Sequence, residues 1–164
     1  MVTIRTATLD DAQAINDIGN HYIHETPANF KTEALTVGER KNWIAGFAAT
    51  GRSRLLVAST NDHVIGYAGS SPFHERKAFE TSVSTAIYLH PDNHLKGVGT
   101  LLYTELFRQL KTEDIHRIFA GITLPNPASR ALHKKFEFKE VGTFTEAGRK
   151  FGQYWDVMWL EKSI

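Results

Sequence analysis

The 164-residue chain has no cysteine, which removes disulfide frameworks and thiol nucleophiles from consideration. It also lacks any apolar run approaching the roughly 20 residues that a membrane-spanning helix requires, so no membrane partner is expected. Charge of one sign is not in excess: 19 Lys and Arg face 18 Asp and Glu, for a net charge of +1. Nucleic-acid binding usually shows as a basic stripe, and none is expected here. The opening "MVTIRTATLDD" lacks the basic-then-apolar pattern of a secretory leader, which predicts a cytoplasmic protein. Repeats, low-complexity segments and linkers are missing too. What is left is an ordinary globular composition, 41% hydrophobic and 23% charged, read as one domain over residues 1–164. That length suffices for a real core and one substrate cleft.

Periodicity outlines the elements. "TIRTA" alternates as a first strand, and Thr8 with Asp11 forms a capping-box pattern before a helix carrying Ala12, Ile15, Ile18 and Tyr22. "TVGE" repeats that device at Thr36 and Glu39, ahead of a helix through Phe47. "RLLVAST" and "HVIGYAGSSPF" read as a hairpin turning at Asn61 and Asp62. "TSVSTAIYLH" is a strand, followed by a glycine loop and a helix with Val98, Leu102, Leu106 and Leu110 on one stripe. "HRIFAGIT" is a strand, Asn126 and Pro127 open a short helix, and the tail reads as two strands around Gly148. Strands that mostly neighbour one another in sequence, with two crossover helices, predict an α+β fold: a mixed, mostly antiparallel central sheet flanked by helices.

"HLKGVG", His94 to Gly99, lies between a strand and a helix, where backbone N–H groups commonly meet a phosphate. A Rossmann fingerprint needs a third small residue where Leu102 stands, and a P-loop needs Gly-Lys-Ser/Thr. Both fail. Asn126, Ser129 and His133 follow at i, i+3, i+7, one stripe of the last helix, beside apolar Ala128, Leu132 and Phe136. Asn126 is equally a helix N-cap, and such a stripe is equally a solvated face.

These segments resemble the GNAT superfamily of N-acetyltransferases, in its phosphinothricin acetyltransferase-like branch. "IYLHPDNHLKGVGTLLY", "PNPASRALHKKFEF" and "VGTFTEAGRKFGQYWDVMWLEK" match its three motifs in order, and the two opening helices match as well. The resemblance implies the GNAT acyl-CoA N-acyltransferase fold and acetyl-CoA as cosubstrate. It implies that Tyr88, Leu89, His90, His94, Lys96, Gly97, Val98, Gly99 and Thr100 line the coenzyme site, joined by Asn126, Ser129 and His133. The Tyr88–Leu89 backbone is the implied oxyanion donor.

The implied reaction moves an acetyl group directly to the amine of a small amino-acid-like substrate, of the phosphinothricin or methionine-sulfoximine type. A peptide N-terminus or a polyamine is the alternative acceptor, and a catalytically weak acyl-CoA-binding module is the alternative class. With no cysteine and no Gly-x-Ser-x-Gly elbow, no acetyl-enzyme is expected. The family places a glutamate four residues before Tyr88 as a water-mediated base; this chain has Ser84. Glu80 shares that strand face by alternation, but four residues span about 13 Å, so a bulge would be needed. His133 is a candidate acid or proton carrier.

For the acceptor, the candidates are Phe30 in the Pro27–Phe30 connection, Phe73, Ser82, Ser84 and Lys150, with Arg76, Lys77, Arg149 and Phe151 nearby. His21 with His24, and His90 with His94, find no third ligand at recognised spacing, so no metal is expected. A homodimer is expected, with the tail strand as its contact.

Overall fold

The computed structural model describes residues 1–61 and 63–164; Asp62, assigned above to the hairpin turn, lies outside the described residues. The strands are β1 (Thr3–Thr6), β2 (Arg54–Thr60), β3 (His63–Pro72), β4 (Ser82–Leu89), β5 (Arg117–Thr123), β6 (Lys139–Lys150) and β7 (Gln153–Ser163). The helices are α1 (Ala12–Glu25), α2 (Val37–Ile44), α3 (Val98–Leu110) and α4 (Pro127–Lys135). The strands form one sheet in the order β1-β2-β3-β4-β5-β7-β6. Every neighbouring pair is antiparallel except β4 with β5, which is parallel, giving the mixed α+β architecture expected.

Local signals set the helix starts. The Thr36 amide donates to Glu39 at 2.8 Å while the Glu39 amide donates to the Thr36 hydroxyl at 3.2 Å, a reciprocal capping box. Thr8 and Asp11 act similarly, the Thr8 amide donating to the Asp11 carboxylate at 2.8 Å. Packing then sorts the helices onto two faces. On one, Val98, Leu102, Leu106 and Leu110 of α3 bury against Leu56, Ala68, Val83, Ile118, Ile122 and Leu160. On the other, Ala12, Ile15 and Ile18 of α1 bury against Leu55, Val57 and Tyr67. Each buried Val, Leu or Ile among them contributes about 1.5–3 kcal/mol relative to exposure.

Two expectations need correction. The tail strands reverse at Phe151 and Gly152, both at positive φ (55° and 74°), not at Gly148. Two successive left-handed residues suit the right-handed twist of a tight hairpin. Gly148 lies inside β6 because the Phe30 ring rests on it: a Cβ there would sit 2.2 Å from Phe30 Cε2. Second, Glu80 is not on a strand. It ends a short 3-10 turn (Lys77–Phe79), and β4 begins at Ser82.

Candidate active site

Strands β4 and β5 pair at only three positions, Ser82 with Arg117, Val83 with Ile118 and Ser84 with Phe119. Beyond them the strands part. Their facing edges then carry N–H and C=O groups that the sheet does not satisfy. A cavity of about 370 Å³ opens there, walled by Thr85–Leu89 on one side and Ala120–Thr123 on the other. Gly97, Gly99 and Thr100 at the start of α3, with Asn126, Ser129 and Leu132 at and after the start of α4, close its third side. α3 approaches closely because Gly99 has no side chain: a Cβ would meet Leu132 at 3.3 Å and Ile87 at 3.6 Å.

One end of the cavity is the open start of a helix. Gly97 is the N-cap of α3, left-handed at φ 84°, and no side chain caps the helix. The first-turn N–H groups therefore lack a protein acceptor, and the helix dipole favours negative charge beside them. His90 and Asn93 shape the preceding loop. The Asp92 amide donates to His90 Nδ1 at 3.2 Å, and the Leu95 amide to Asn93 Oδ1 at 3.2 Å. His94 and Lys96 are exposed on the loop. Lys135, which sequence reasoning missed, donates to the Thr100 hydroxyl at 3.3 Å and adds a cation at the same helix start. Nothing in a local pattern links residues 35 positions apart.

The wall residues have distinct partners. Tyr88 packs its ring on Tyr22 and Tyr67, with centroids 4.9 and 5.4 Å apart, and burial pushes its phenol up to about 12. Tyr22 donates to the Leu89 carbonyl at 3.0 Å, tying α1 to the end of β4. Asn126 caps α4, its Oδ1 accepting from the Ser129 amide at 3.1 Å, while also lining the cavity. His133 is 3% exposed, held between Tyr103 and Phe138. Its Nδ1 lies 2.8 Å from the Ser129 carbonyl and its Nε2 lies 3.1 Å from the Tyr103 hydroxyl. Tyr103 escaped the sequence reading because it sits among apolar residues of α3; only its hydroxyl marks it.

Burial holds the His133 imidazole below its ordinary value of 6.5. The unfolded chain then binds this proton more readily than the folded one, so stability falls as pH drops through 6.5 towards the folded value and is flat above. Urea unfolding at pH 7.5 and 5.0 is expected to show that loss, with a smaller one in His133→Asn. An equal slope in the variant would assign the acid sensitivity elsewhere.

On the opposite face of β4, Ser84 is half-buried beside Ser82. Phe73 stacks on Phe119 at 4.3 Å, and Trp159 meets Phe73 edge-on at 6.1 Å while covering Gly121. Pairing of β3 with β4 is regular from Gly66–Leu89 to Pro72–Val83, so no bulge draws Glu80 inward. Glu80 is exposed and lines a separate groove with Arg76 and Lys77. Neither Asp nor Glu is among the residues lining the β4–β5 cavity.

Lys150 also departs from expectation. Its ammonium is buried and donates to the carbonyls of Tyr22, Thr26 and Asn29, closing the C-terminal end of α1 and the loop after it. It is not offered to an acceptor. Phe30, though partly exposed, is occupied on one face by Gly148. His21, His24, His90 and His94 form no cluster: among the described residues no three His, Cys, Asp or Glu converge. No helix of the described residues is long and apolar enough to cross a membrane.

A narrow slot between parting strand edges suits an extended arm bearing amides, and the open helix start at its end suits a diphosphate. Coenzyme A has both, so the fold and cavity define an acyl-CoA-dependent acyltransferase. The chain belongs to the GNAT acetyltransferase family: residues 4–159 match the family described as Acetyltransferase (GNAT) domain. It is 44% identical to the phosphinothricin N-acetyltransferase of Streptomyces coelicolor, over 99% of this chain and 96% of that one. It is 29% identical to the L-methionine sulfoximine/L-methionine sulfone acetyltransferase of Salmonella typhimurium, over 99% and 95% of the two chains. A GNAT superfamily phosphinothricin acetyltransferase from Sinorhizobium meliloti, solved with acetyl-CoA, superposes with a TM-score of 0.93 at 26% identity, covering 99% and 88%. The chain is an N-acetyltransferase, and acetyl-CoA is its cosubstrate.

Proposed function

We propose that this enzyme acetylates the amino group of a small amino-acid-like acceptor of the phosphinothricin or methionine-sulfoximine type. The observation that carries this reading is the acceptor face of the strand fork. It offers the Ser82 and Ser84 hydroxyls and the Phe73–Phe119–Trp159 aromatic wall. The two relatives described above are named for acceptors of the proposed kind.

The Gly97–Thr100 amides and Lys135 would hold the diphosphate, and the free edges of β4 and β5 would hold the amide-bearing arm. When bound, acetyl-CoA supplies an activated acyl carbon. Backbone N–H groups at Tyr88–Leu89 would stabilise the oxyanion that develops on it, as fixed dipoles do most effectively. Transfer is direct, in a ternary complex, since the chain has no cysteine to carry the acetyl group. The acceptor is bound already neutral, its proton lost to solvent through water ordered at Ser84. The enzyme works in the cytoplasm as a homodimer, joined through edge strand β6 and its exposed Val141 and Phe144.

Thiol release from acetyl-CoA against amino acids, sulfoximines, polyamines and short peptides is the test. Turnover is expected to be highest with amino acids carrying a compact polar side chain, such as phosphinothricin or methionine sulfoximine. Higher kcat/KM with spermidine or with a peptide N-terminus would overturn the acceptor assignment. Light scattering on wild type and Phe144→Glu is expected to show dimer and monomer respectively; a monomeric wild type would reject the dimer.

A further inference from the structure

Lys150 is 5% exposed, and among the described residues it pairs with no carboxylate. Its partners are three carbonyls, Asn29 at 2.5 Å, Thr26 at 2.9 Å and Tyr22 at 3.4 Å. Burying an ammonium among neutral acceptors is costly, and a methionine would fill the same space without that cost. Packing therefore does not account for the residue. The three carbonyls all belong to the last turn of α1 and the loop after it. Helix carbonyls there lack intrahelical partners, and the dipole favours a cation.

That loop reaches the strand fork. Ala28 lines the β4–β5 cavity beside Tyr22, Ala86 and Tyr88. Asn29 Oδ1 accepts from the Lys31 amide at 2.9 Å, which leaves the Asn29 NH2 group to donate to the Tyr88 phenol. The Ala28 amide donates to Thr26 Oγ1 at 3.2 Å, and that hydroxyl donates to the Tyr22 carbonyl at 3.0 Å. Residues 26–29 are thus tied together as one unit. Ser84, Ala86 and Tyr88 alternate onto a single face of β4, the face assigned above to the acceptor. The loop is the rim of that face at its Tyr88 end.

The tail hairpin anchors the loop from the other side. Gly148 and Lys150 pair regularly with Trp155 and Gln153, so they share one face of β6. Both meet the same loop. The Phe30 ring rests on Gly148, and the Lys150 ammonium takes the carbonyls of Thr26 and Asn29. The backbone of Lys150 is itself held, its carbonyl accepting from the Trp155 indole at 3.0 Å. A strand of the central sheet therefore sets how far the loop stands from β4.

We propose that Lys150 is a specificity-determining positioning residue: through the carbonyls of Tyr22, Thr26 and Asn29 it holds the 26–30 loop over the acceptor face and limits that face to acceptors the size of a single amino acid. The ammonium touches neither acceptor nor coenzyme. Without it the loop keeps its Phe30 contact but loses the bonds that fix its height above Tyr88. A small acceptor is then gripped less well, and a longer one enters more easily.

This proposal rests on the amino-acid-like acceptor proposed above, and turnover with two acceptors separates the two. kcat and KM are measured with methionine sulfoximine and with its dipeptide carrying a C-terminal alanine. Calorimetry gives the coenzyme A affinity, and melting temperature checks folding. Lys150→Met should raise the KM for methionine sulfoximine about tenfold, with kcat and coenzyme A affinity within about twofold of wild type. Its preference for methionine sulfoximine over the dipeptide should fall about tenfold. Chemical rescue then tests the charge. The chain has no cysteine, so Lys150→Cys can be alkylated at that one thiol in urea and refolded, with wild type carried through the same treatment. Bromoethylamine, which restores an ammonium at the reach of lysine, should return KM and preference to wild-type values. Iodopropane, which leaves a neutral chain of the same length, should not. Equal recovery with both reagents would show a packing role and overturn the proposal, as would an unchanged preference in Lys150→Met. Should the variants at residue 150 fold poorly, Gly148→Ala, which displaces Phe30 from the same loop, should shift KM and preference in the same direction; no shift would overturn the proposal. A wild type that prefers the dipeptide from the outset would instead reject the acceptor assignment.

Discussion

Replacing Gly97 with valine is expected to weaken coenzyme A binding about 100-fold, roughly 2.7 kcal/mol, while the protein stays folded. The reason is conformational rather than steric. Gly97 sits at φ 84°, and a Cβ placed there would have nothing within 4 Å. A side chain in the left-handed region costs roughly 1–2 kcal/mol, and a β-branched one more. The cheapest relief is rotation to negative φ, which swings the peptide planes on both sides of residue 97. Those planes carry the first N–H groups of α3, the proposed diphosphate donors, so their aim is lost together. Asparagine tolerates the left-handed region better than other side chains, so Gly97→Asn should retain most of the affinity, with Gly97→Ala intermediate. Calorimetric titration with coenzyme A across this series checks the order. If valine and asparagine weaken binding equally, the backbone conformation at Gly97 is not what holds the diphosphate.

The second large effect concerns how the acceptor loses its proton. Ser84→Glu is expected to raise kcat/KM about tenfold near pH 7, with the gain shrinking as pH approaches 9. Alkylamines titrate around pH 10, so at neutral pH only about one molecule in a thousand is ready to attack. In the wild type no carboxylate lines the β4–β5 cavity, and Glu80 is exposed in a separate groove. The rate should therefore climb steadily with pH as the neutral amine becomes more abundant. A carboxylate at residue 84, half-buried on the acceptor face, gives a base that works through water and is ionised well below pH 7. The profile should then gain a shallow region around neutrality. Glu80→Gln should leave the wild-type profile unchanged. A rise in activity absent at pH 7 but present at pH 9 in Ser84→Glu would contradict this account.

Much of the architecture was legible because its causes are short-range. The two capping boxes and the N-cap at Asn126 are each written within four neighbouring residues and the apolar stripe of α3 within thirteen, and each is realised in the fold. The loop from His94 to Gly99 was recognisable for the same reason, although its two glycines serve different needs. Gly97 supplies a backbone angle, and Gly99 a close approach to Leu132.

The hairpin turn was misplaced because Gly148 is the more conspicuous glycine. It answers to Phe30, far away in sequence, and not to the chain direction. Glu80 looked like a strand residue only because alternation continues upstream of Ser82; the 3-10 turn that ends there has no periodic signature in three residues.

By itself, then, the amino-acid sequence determined the element order, the mixed sheet, the glycine-opened start of α3 and the absence of any thiol. Each of these depends on residue type or on spacing within a turn or two. Tertiary structure decided which side chains are free to act. Lys150 reads as an available cation until the fold brings three carbonyls from residues 121 to 128 positions away onto its ammonium. Tyr103 reads as one more member of an apolar helix until the fold brings its hydroxyl 3.1 Å from His133 Nε2, 30 positions away. Hydrogen-bond partners that close over such separations are set by packing, and no local pattern records them.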